Sequence, residues 1–242
     1  MVSVSIWLEK LTWIEAEKAF KKYNMVVIPL GARTKEHGPH LPLNNDWIMA
    51  EYLTRRVAER VPAIILPTLQ YGYYPSFLEY PGSVSLSLET SKNMIKEICS
   101  TLSRYGINKF YVLNTGISTL YALKPAQKEL EKQGVTLRYT DLHEVDGGIE
   151  LEQEGGTHAD ESETSMMLYI KPEIVDMAKA VKDYNPLNGG GLTRDQQNKK
   201  AGVYSESGIY GDPTLATADK GKIIVESLVQ HIVKEIETLI KE

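Results

Sequence analysis

Gly31-Ala-Arg-Thr-Lys-Glu-His-Gly-Pro-His-Leu-Pro-Leu-Asn-Asn-Asp46 is the stretch on which the reading of the fold turns. Before it runs Met25-Val-Val-Ile-Pro-Leu30, a short, apolar, β-branched segment with the character of a buried strand. After it, from Asp46 to Val61, Ile48, Met49, Tyr52, Leu53 and Val57 fall on one helical face, with Arg55, Arg56, Glu59 and Arg60 mostly opposite. The stretch is therefore a strand-to-helix loop, with Asn45 or Asp46 as the expected cap. In α/β sheets such loops lie at the carboxyl ends of strands, where ligands bind. This one carries His37, His40, Glu36 and Asp46, and Pro39 and Pro42 stiffen it.

Working outward, the same alternation recurs. Leu11 to Tyr23 reads as a helix with Trp13, Ile14, Ala16 and Phe20 near helical spacing. Ala63–Pro67 is a short strand that enters an aromatic loop, Tyr71 to Ser83. Glu89 to Tyr105 is a helix that buries Met94, Ile95, Ile98 and Leu102 and stops at Gly106. Lys109–Leu113 is a strand, Asn114 to Thr119 a loop, the residues through about Lys132 a helix, and Val135–Tyr139 another strand. Strand and helix in repeated order predict an α/β fold in which strands near 25–30, 64–67, 110–113 and 135–139 are neighbours in one mainly parallel sheet with helices on both faces. A further helix is expected from Asp160 or Glu161 to before Pro172, and a closing one from Lys220 to Lys241. Residues 183–213, polar and rich in Asn, Gly and Pro, are too long for an ordinary connection and read as functional or as an oligomer contact. Nothing resembles a linker, so residues 1–242 are expected to form one domain.

Of the 242 residues 42% are hydrophobic and 24% charged, a globular composition able to build one large core. A net charge of −5 leaves no basic footprint, which argues against nucleic acid as a partner. The apolar runs fall far short of the ~20 residues that span a bilayer, and the N-terminus has no signal-peptide pattern, so no membrane contact is expected. The single cysteine, Cys99, forms no internal disulfide, fits a reducing cytoplasm, and sits on the apolar face of its helix as a buried thiol.

Three loops hold the candidate chemistry. His37, His40 and Asp46 have the side-chain types of a two-histidine, one-carboxylate site for a divalent ion, with Glu36 as a possible fourth ligand; the plainer alternative is that His40 and Asp46 only bond the loop and cap the helix. His158 stands among Asp160, Glu161 and Glu163, where neighbouring carboxylates raise an imidazole's pKa and suit it to proton transfer, although acidic residues also simply favour helix starts. Ser118, in Gly116-Ile-Ser-Thr-Leu120, lacks the second glycine of a nucleophile elbow, so Ser118 or Thr119 reads better as an ordinary cap.

These residues carry a resemblance to the creatininase (creatinine amidohydrolase) family. It rests on Glu36-His-Gly-Pro-His-Leu-Pro-Leu43 with Asp46, Tyr71-Gly72, Pro81-Gly-Ser83, Asn114, His158-Ala159, Glu163-Thr-Ser165, and Gly211-Asp-Pro213 to Gly221. The resemblance implies a three-layer α/β/α sandwich around a mostly parallel sheet. It also implies a homohexamer, one or two divalent metals (zinc, manganese or iron), and hydrolysis of amide or other carbon–nitrogen bonds in small cyclic or formylated compounds. Some relatives act on cyclic sugar-derived ketones.

Where relatives read Glu-Gln-His, this chain reads Lys35-Glu36-His37, so a lysine takes the place of a metal-binding glutamate. Gly116 replaces a ligand histidine, Ser118 an occasional ligand glutamate, and Phe77 a histidine common in the aromatic loop. The resemblance therefore implies one divalent ion, held by His37 and Asp46 with Glu36, and the loss of the second. In that scheme His158 protonates the leaving group, Glu163 supports it, Lys35 supplies a fixed charge, and Tyr74, Phe77 and Ser118 contact a small-molecule substrate. The competing readings are a non-catalytic relative that binds a small ligand or serves as a scaffold, and metal-free chemistry by Lys35 and His158 on a cyclic ketone.

Overall fold

The computed structural model describes residues 4–145, 147–184, 192–195, 197 and 203–242. Five parallel strands form one sheet: β1 (Ile6–Trp7), β2 (Met25–Leu30), β3 (Ile64–Ile65), β4 (Lys109–Asn114) and β5 (Thr136–Tyr139), in the order β1-β3-β2-β4-β5. Among the described residues six α-helices accompany them: α1 (Trp13–Lys22), α2 (Asn45–Ala58), α3 (Leu88–Ser103), α4 (Leu120–Glu131), α5 (Glu161–Ile170) and α6 (Ala218–Lys241). A separate parallel pair, β6 (Leu192–Thr193) and β7 (Val203–Tyr204), lies in the region expected to be irregular, of which residues 185–191, 196 and 198–202 are outside the described residues.

The near-continuous apolar runs of β2 and β4 arise because the sheet is covered on both faces. Successive side chains point to opposite sides. Met25, Val27, Tyr111 and Leu113 pack with Met49, Leu53 and Val57 of α2 and Val225, Ile232 and Leu239 of α6. Val26, Ile28, Phe110 and Val112 pack with Ile95, Cys99 and Leu102 of α3 and Leu123, Ala126 and Leu130 of α4. Each such side chain, fully buried, contributes about 1.5–3 kcal/mol.

Three local expectations give way. The first turn of α1 leaves Trp13 78% and Ile14 49% exposed. A capping box between Thr12 and Glu15 holds that helix start, so it does not depend on burial. Asp46 and Asn45 do not cap α2; Asn44 occupies the cap position without a side-chain bond, because Asp46 is drawn into the site. Thr119 stands at the cap of α4, but its hydroxyl donates inward to Asn114 Oδ1 and the Gly116 carbonyl, each at 2.6 Å, and Ser118 takes no capping role. The two-residue strand β1 was not legible in the sequence at all.

Candidate functional site

Leu30 and Asn114 are register partners at the carboxyl ends of β2 and β4. From β2 the chain crosses through α2 to β3 on one side; from β4 it crosses through α4, on the opposite face, to β5 on the other. The strand order therefore reverses at this pair and opens a crevice between the two loops. Gly31 lets α2 close against the end of β2, since a Cβ there would collide with the Asp46 carbonyl. The loop after β4 is pinned by Asn114: its Nδ2 donates to the carbonyls of Gly116 (2.7 Å) and Thr140 (3.2 Å), and its Oδ1 accepts the Gly116 N–H at 3.2 Å.

The first loop turns its charged groups inward. Lys35 Nζ lies 2.7 Å from Asp46 Oδ2, and His37 Nε2 lies 2.7 Å from Asp46 Oδ1, with all three side chains almost wholly buried. The lysine contact is a close, buried ion pair, and Lys35 is the charged partner of Asp46 Oδ2. Burial alone would raise the Asp46 pKa, but Lys35 and His37 outweigh it and hold the carboxyl well below the usual range. Burial likewise opposes charge on Lys35, yet Asp46, Glu163 and Glu36 together raise its pKa. Tyr74, expected at the substrate, is instead 2% exposed, with its ring centroid 5.7 Å from the ammonium. Phe77 lies 4.8 Å from it on the cavity side.

His158 completes the constellation from the segment before α5. Its Nε2 donates to the Glu36 carbonyl at 3.0 Å and to Glu36 Oε2 at 3.1 Å, while Nδ1 faces Glu163 Oε2 at 3.7 Å. Burial disfavours its charged form, but Glu36 and Glu163 outweigh that and raise its pKa. Glu36 is engaged on both oxygens, by His158 and by the Gly38 N–H, so it faces His158 and away from Asp46. Burial would raise its pKa, and these partners lower it. Ala159 is the non-glycine residue held at positive φ (49°) among the described residues, a conformation that aims its N–H at Glu163 Oε2 across 2.6 Å. The start of α5 is fixed by Asp160, which accepts the Glu163 N–H, and by Glu161, which accepts from Lys220 Nζ at 2.6 Å.

One donor atom from each of His37, His158 and Glu163 lies within 4.8 Å of the others. His37 Nδ1 faces the Lys35 carbonyl at 2.9 Å and His158 Nε2 faces the Glu36 carbonyl, so these nitrogens carry the hydrogens. The opposite nitrogens, His37 Nε2 and His158 Nδ1, present lone pairs toward carboxylate oxygens whenever the rings are neutral. Lone pair facing carboxylate is repulsive unless a proton or a cation lies between, and a backbone carbonyl on the far ring nitrogen is the usual support of a metal-binding histidine. His40 is apart from this group: its Nε2 bonds Thr164 Oγ1 at 2.8 Å, its Nδ1 has no partner, and burial lowers its pKa to about 4.

These groups meet a cavity of about 560 Å³ lined by Lys35, Phe77, Ser118, His158, Asp160 and Glu163 among others. His37, Asp46, Glu36 and Tyr74 lie behind its wall. Two groups on the wall lie outside the site residues named from the sequence, which placed Asp160 only as a neighbour of His158 and a helix start and did not name His143. Asp160, 4% exposed, is pushed up to about 6 by burial and by Glu163. His143, held by Asp141 Oδ1 at 2.9 Å, lies just past β5, and that strand-end position was its only sequence signal.

A family model described as creatininase, creatinine amidohydrolase, matches residues 9–236. The chain belongs to the creatininase family. This creatininase-family chain is 28% identical over 257 residues to a creatinine amidohydrolase of Pseudomonas putida, covering 97% of each protein. It is 27% identical to a mycofactocin precursor peptide peptidase of Mycobacterium ulcerans (strain Agy99), over 87% of this chain and 84% of that protein. The solved structure "Creatininase Mn" superposes with a TM-score of 0.76 at 24% identity, over 97% of this chain and 99% of that one, a likeness of fold. Among the described residues no helix is long and apolar enough to cross a membrane.

Proposed function

We propose that this chain hydrolyses an amide or related carbon–nitrogen bond of a small compound held in the 560 Å³ cavity, with the help of one divalent ion. The observation that carries the reading is the convergence of His37, His158 and Glu163 within 4.8 Å, with both imidazoles fixed from behind by backbone carbonyls. That donor set suits a divalent ion of the zinc or manganese kind. Asp46 adjoins His37 as a further oxygen, whereas Glu36 supports His158 instead of offering itself. When bound, such an ion polarises a carbonyl and lowers the pKa of water.

The chain's own groups do the rest. Lys35 presents a positive charge at the wall, toward which a carbonyl oxygen gaining negative charge turns. Phe77 and the half-buried Ser118 bound the substrate. Asp160, with a pKa near 6 and a place on the wall, takes the proton released when water adds to the carbonyl carbon and returns it to the departing nitrogen. This reading moves His158 from proton donor to ion ligand and keeps Glu163 beside it.

The test is a panel of creatinine, small cyclic amides, N-formyl compounds and short peptides, offered to ion-stripped and to zinc- or manganese-loaded protein. Turnover of at least one, dependent on the ion and lost in His158→Ala, is expected; no turnover in any loaded form would favour the non-catalytic relative. We also propose assembly as a homo-oligomer, for which sedimentation at micromolar concentration is decisive.

A further inference from the structure

Lys35 is boxed in. On one side is Asp46 Oδ2 at 2.7 Å; on the others are the ring faces of Tyr74 and Phe77, with centroids 5.7 and 4.8 Å from Nζ. A carboxylate and two π faces each attract a cation, and together they form a cation site whose occupant is the chain's own ammonium. Asp46 Oδ2 is buried, and the Lys35 ammonium is the charge set against it. Asp46 Oδ1 is already occupied by His37. Among the described residues the cluster that can hold an ion joins His37 to His158 and Glu163, and no further histidine, cysteine or carboxylate joins Asp46 Oδ2 in such a group.

We infer that the Lys35 ammonium is a resident cation on Asp46, which limits the centre to a single exchangeable ion on the His37, His158 and Glu163 side. A second divalent ion at Oδ2 would stand against a fixed positive charge at contact distance in a water-poor site, and the charge already there neutralises the carboxylate that would attract it. The inference rests on the single-ion reading above for the first ion, but not for the exclusion of the second.

The experiment counts ions. Wild type, Lys35→Ala and the double variant Lys35→Ala/Asp46→Asn are dialysed to equilibrium against zinc, manganese or cobalt(II), and bound metal per chain is measured by elemental analysis. The expected result is one equivalent for wild type, a second and weaker one for Lys35→Ala that fills only at higher ion concentration because Asp46 Oδ2 is its one side-chain donor, and a return to the wild-type count in the double variant. If wild type holds no ion, the single-ion reading fails, while a gain of one equivalent in Lys35→Ala still upholds the resident cation. Two equivalents in wild type, or no gain in Lys35→Ala, overturn it. Because Lys35→Ala leaves a buried carboxylate without its cation, the variant is also followed by thermal denaturation against ion concentration, where a melting temperature that climbs with added ion more steeply than in wild type reports the same gain. Lys35→Gln, neutral and of similar reach, serves if the alanine variant does not fold.

Discussion

The two carboxylates of the site are treated in opposite ways. Asp46, 1% exposed in its side chain, is closed over by an ammonium and an imidazole supplied within twelve residues of it. Glu163, 16% exposed, receives one backbone N–H and faces His158 Nδ1 across 3.7 Å, a gap that a cation can enter. One half of the site is internally neutralised and the other is left wanting positive charge. A single loop can compensate itself because its groups are near in sequence, whereas His158 and Glu163, close to each other, meet their other partner Glu36 across more than a hundred residues.

The closed half depends on its positive charge. In ion-stripped protein Lys35→Met leaves the Asp46 carboxylate buried with only the His37 imidazole against it, and a loss of about 3–5 kcal/mol in urea unfolding is expected. Lys35→Met/Asp46→Asn should recover most of it. A loss under about 1 kcal/mol in the single variant would show that Asp46 is solvated and not closed.

Acid should set the two halves against each other. His40 is neutral in the fold with a pKa of about 4, below its ordinary 6.5, so its contribution is fully present above pH 6.5 and is lost as pH falls toward 4. Asp160 is raised from 3.8 to about 6, so it binds a proton in the fold before it does so in the unfolded chain, and stability rises as pH falls from 6 toward 3.8. Each effect is about 3 kcal/mol, opposite in sign and in nearly the same window. Taken alone these two groups nearly cancel in wild type between pH 7 and 4.5. His40→Gln should then gain stability toward acid and Asp160→Asn, which keeps the helix cap, should lose it. Parallel slopes in the two variants would refute the opposition.

The fold was legible because its deciding signals are local. β2 and β4 announce themselves by composition, and the loop after β2 by its position between a strand and an amphipathic helix. β1 was missed because two residues carry no period, and α1 was misjudged because spacing cannot tell that its first turn projects past the core. In the site, the pairing of His37 with Asp46 was visible from nine residues of separation. The depth to which Lys35 is buried has no local signal, since most lysines reach solvent. Nothing in the sequence shows that Glu36 would turn to His158, 122 residues away, or His40 to Thr164 across 124. Those choices are made by the packing of α5 against the first loop.

A milder change sharpens the open half. Glu36→Gln keeps the backbone carbonyl that fixes His158 Nε2–H and removes only the carboxylate behind it. If Glu36 supports the ligand, ion affinity measured by calorimetry should fall about 10- to 100-fold without change in stoichiometry. If Glu36 is itself a ligand, as the sequence allowed, binding should collapse.

The smallest effect is expected at Ser118, where the wall of the cavity meets the start of α4. Its neighbour Thr119 holds the cap position and spends its hydroxyl on Asn114 and Gly116, so the loop is tied from within and Ser118 is free of that duty. Ser118→Ala therefore deletes no cap and opens no core cavity, and its stability should stay within about 0.5 kcal/mol of wild type. A drop of 1 kcal/mol or more would restore the capping role that the sequence offered for it. Because Ser118 lines the cavity, the hydroxyl can matter only to what binds there. A bond to the substrate that is equally strong before and during reaction raises KM and leaves kcat unchanged when lost. A fall in kcat instead would put Ser118 against the reacting atoms, and the uncharged loop after β4 would then join Lys35 as part of the chemistry and not merely of the wall.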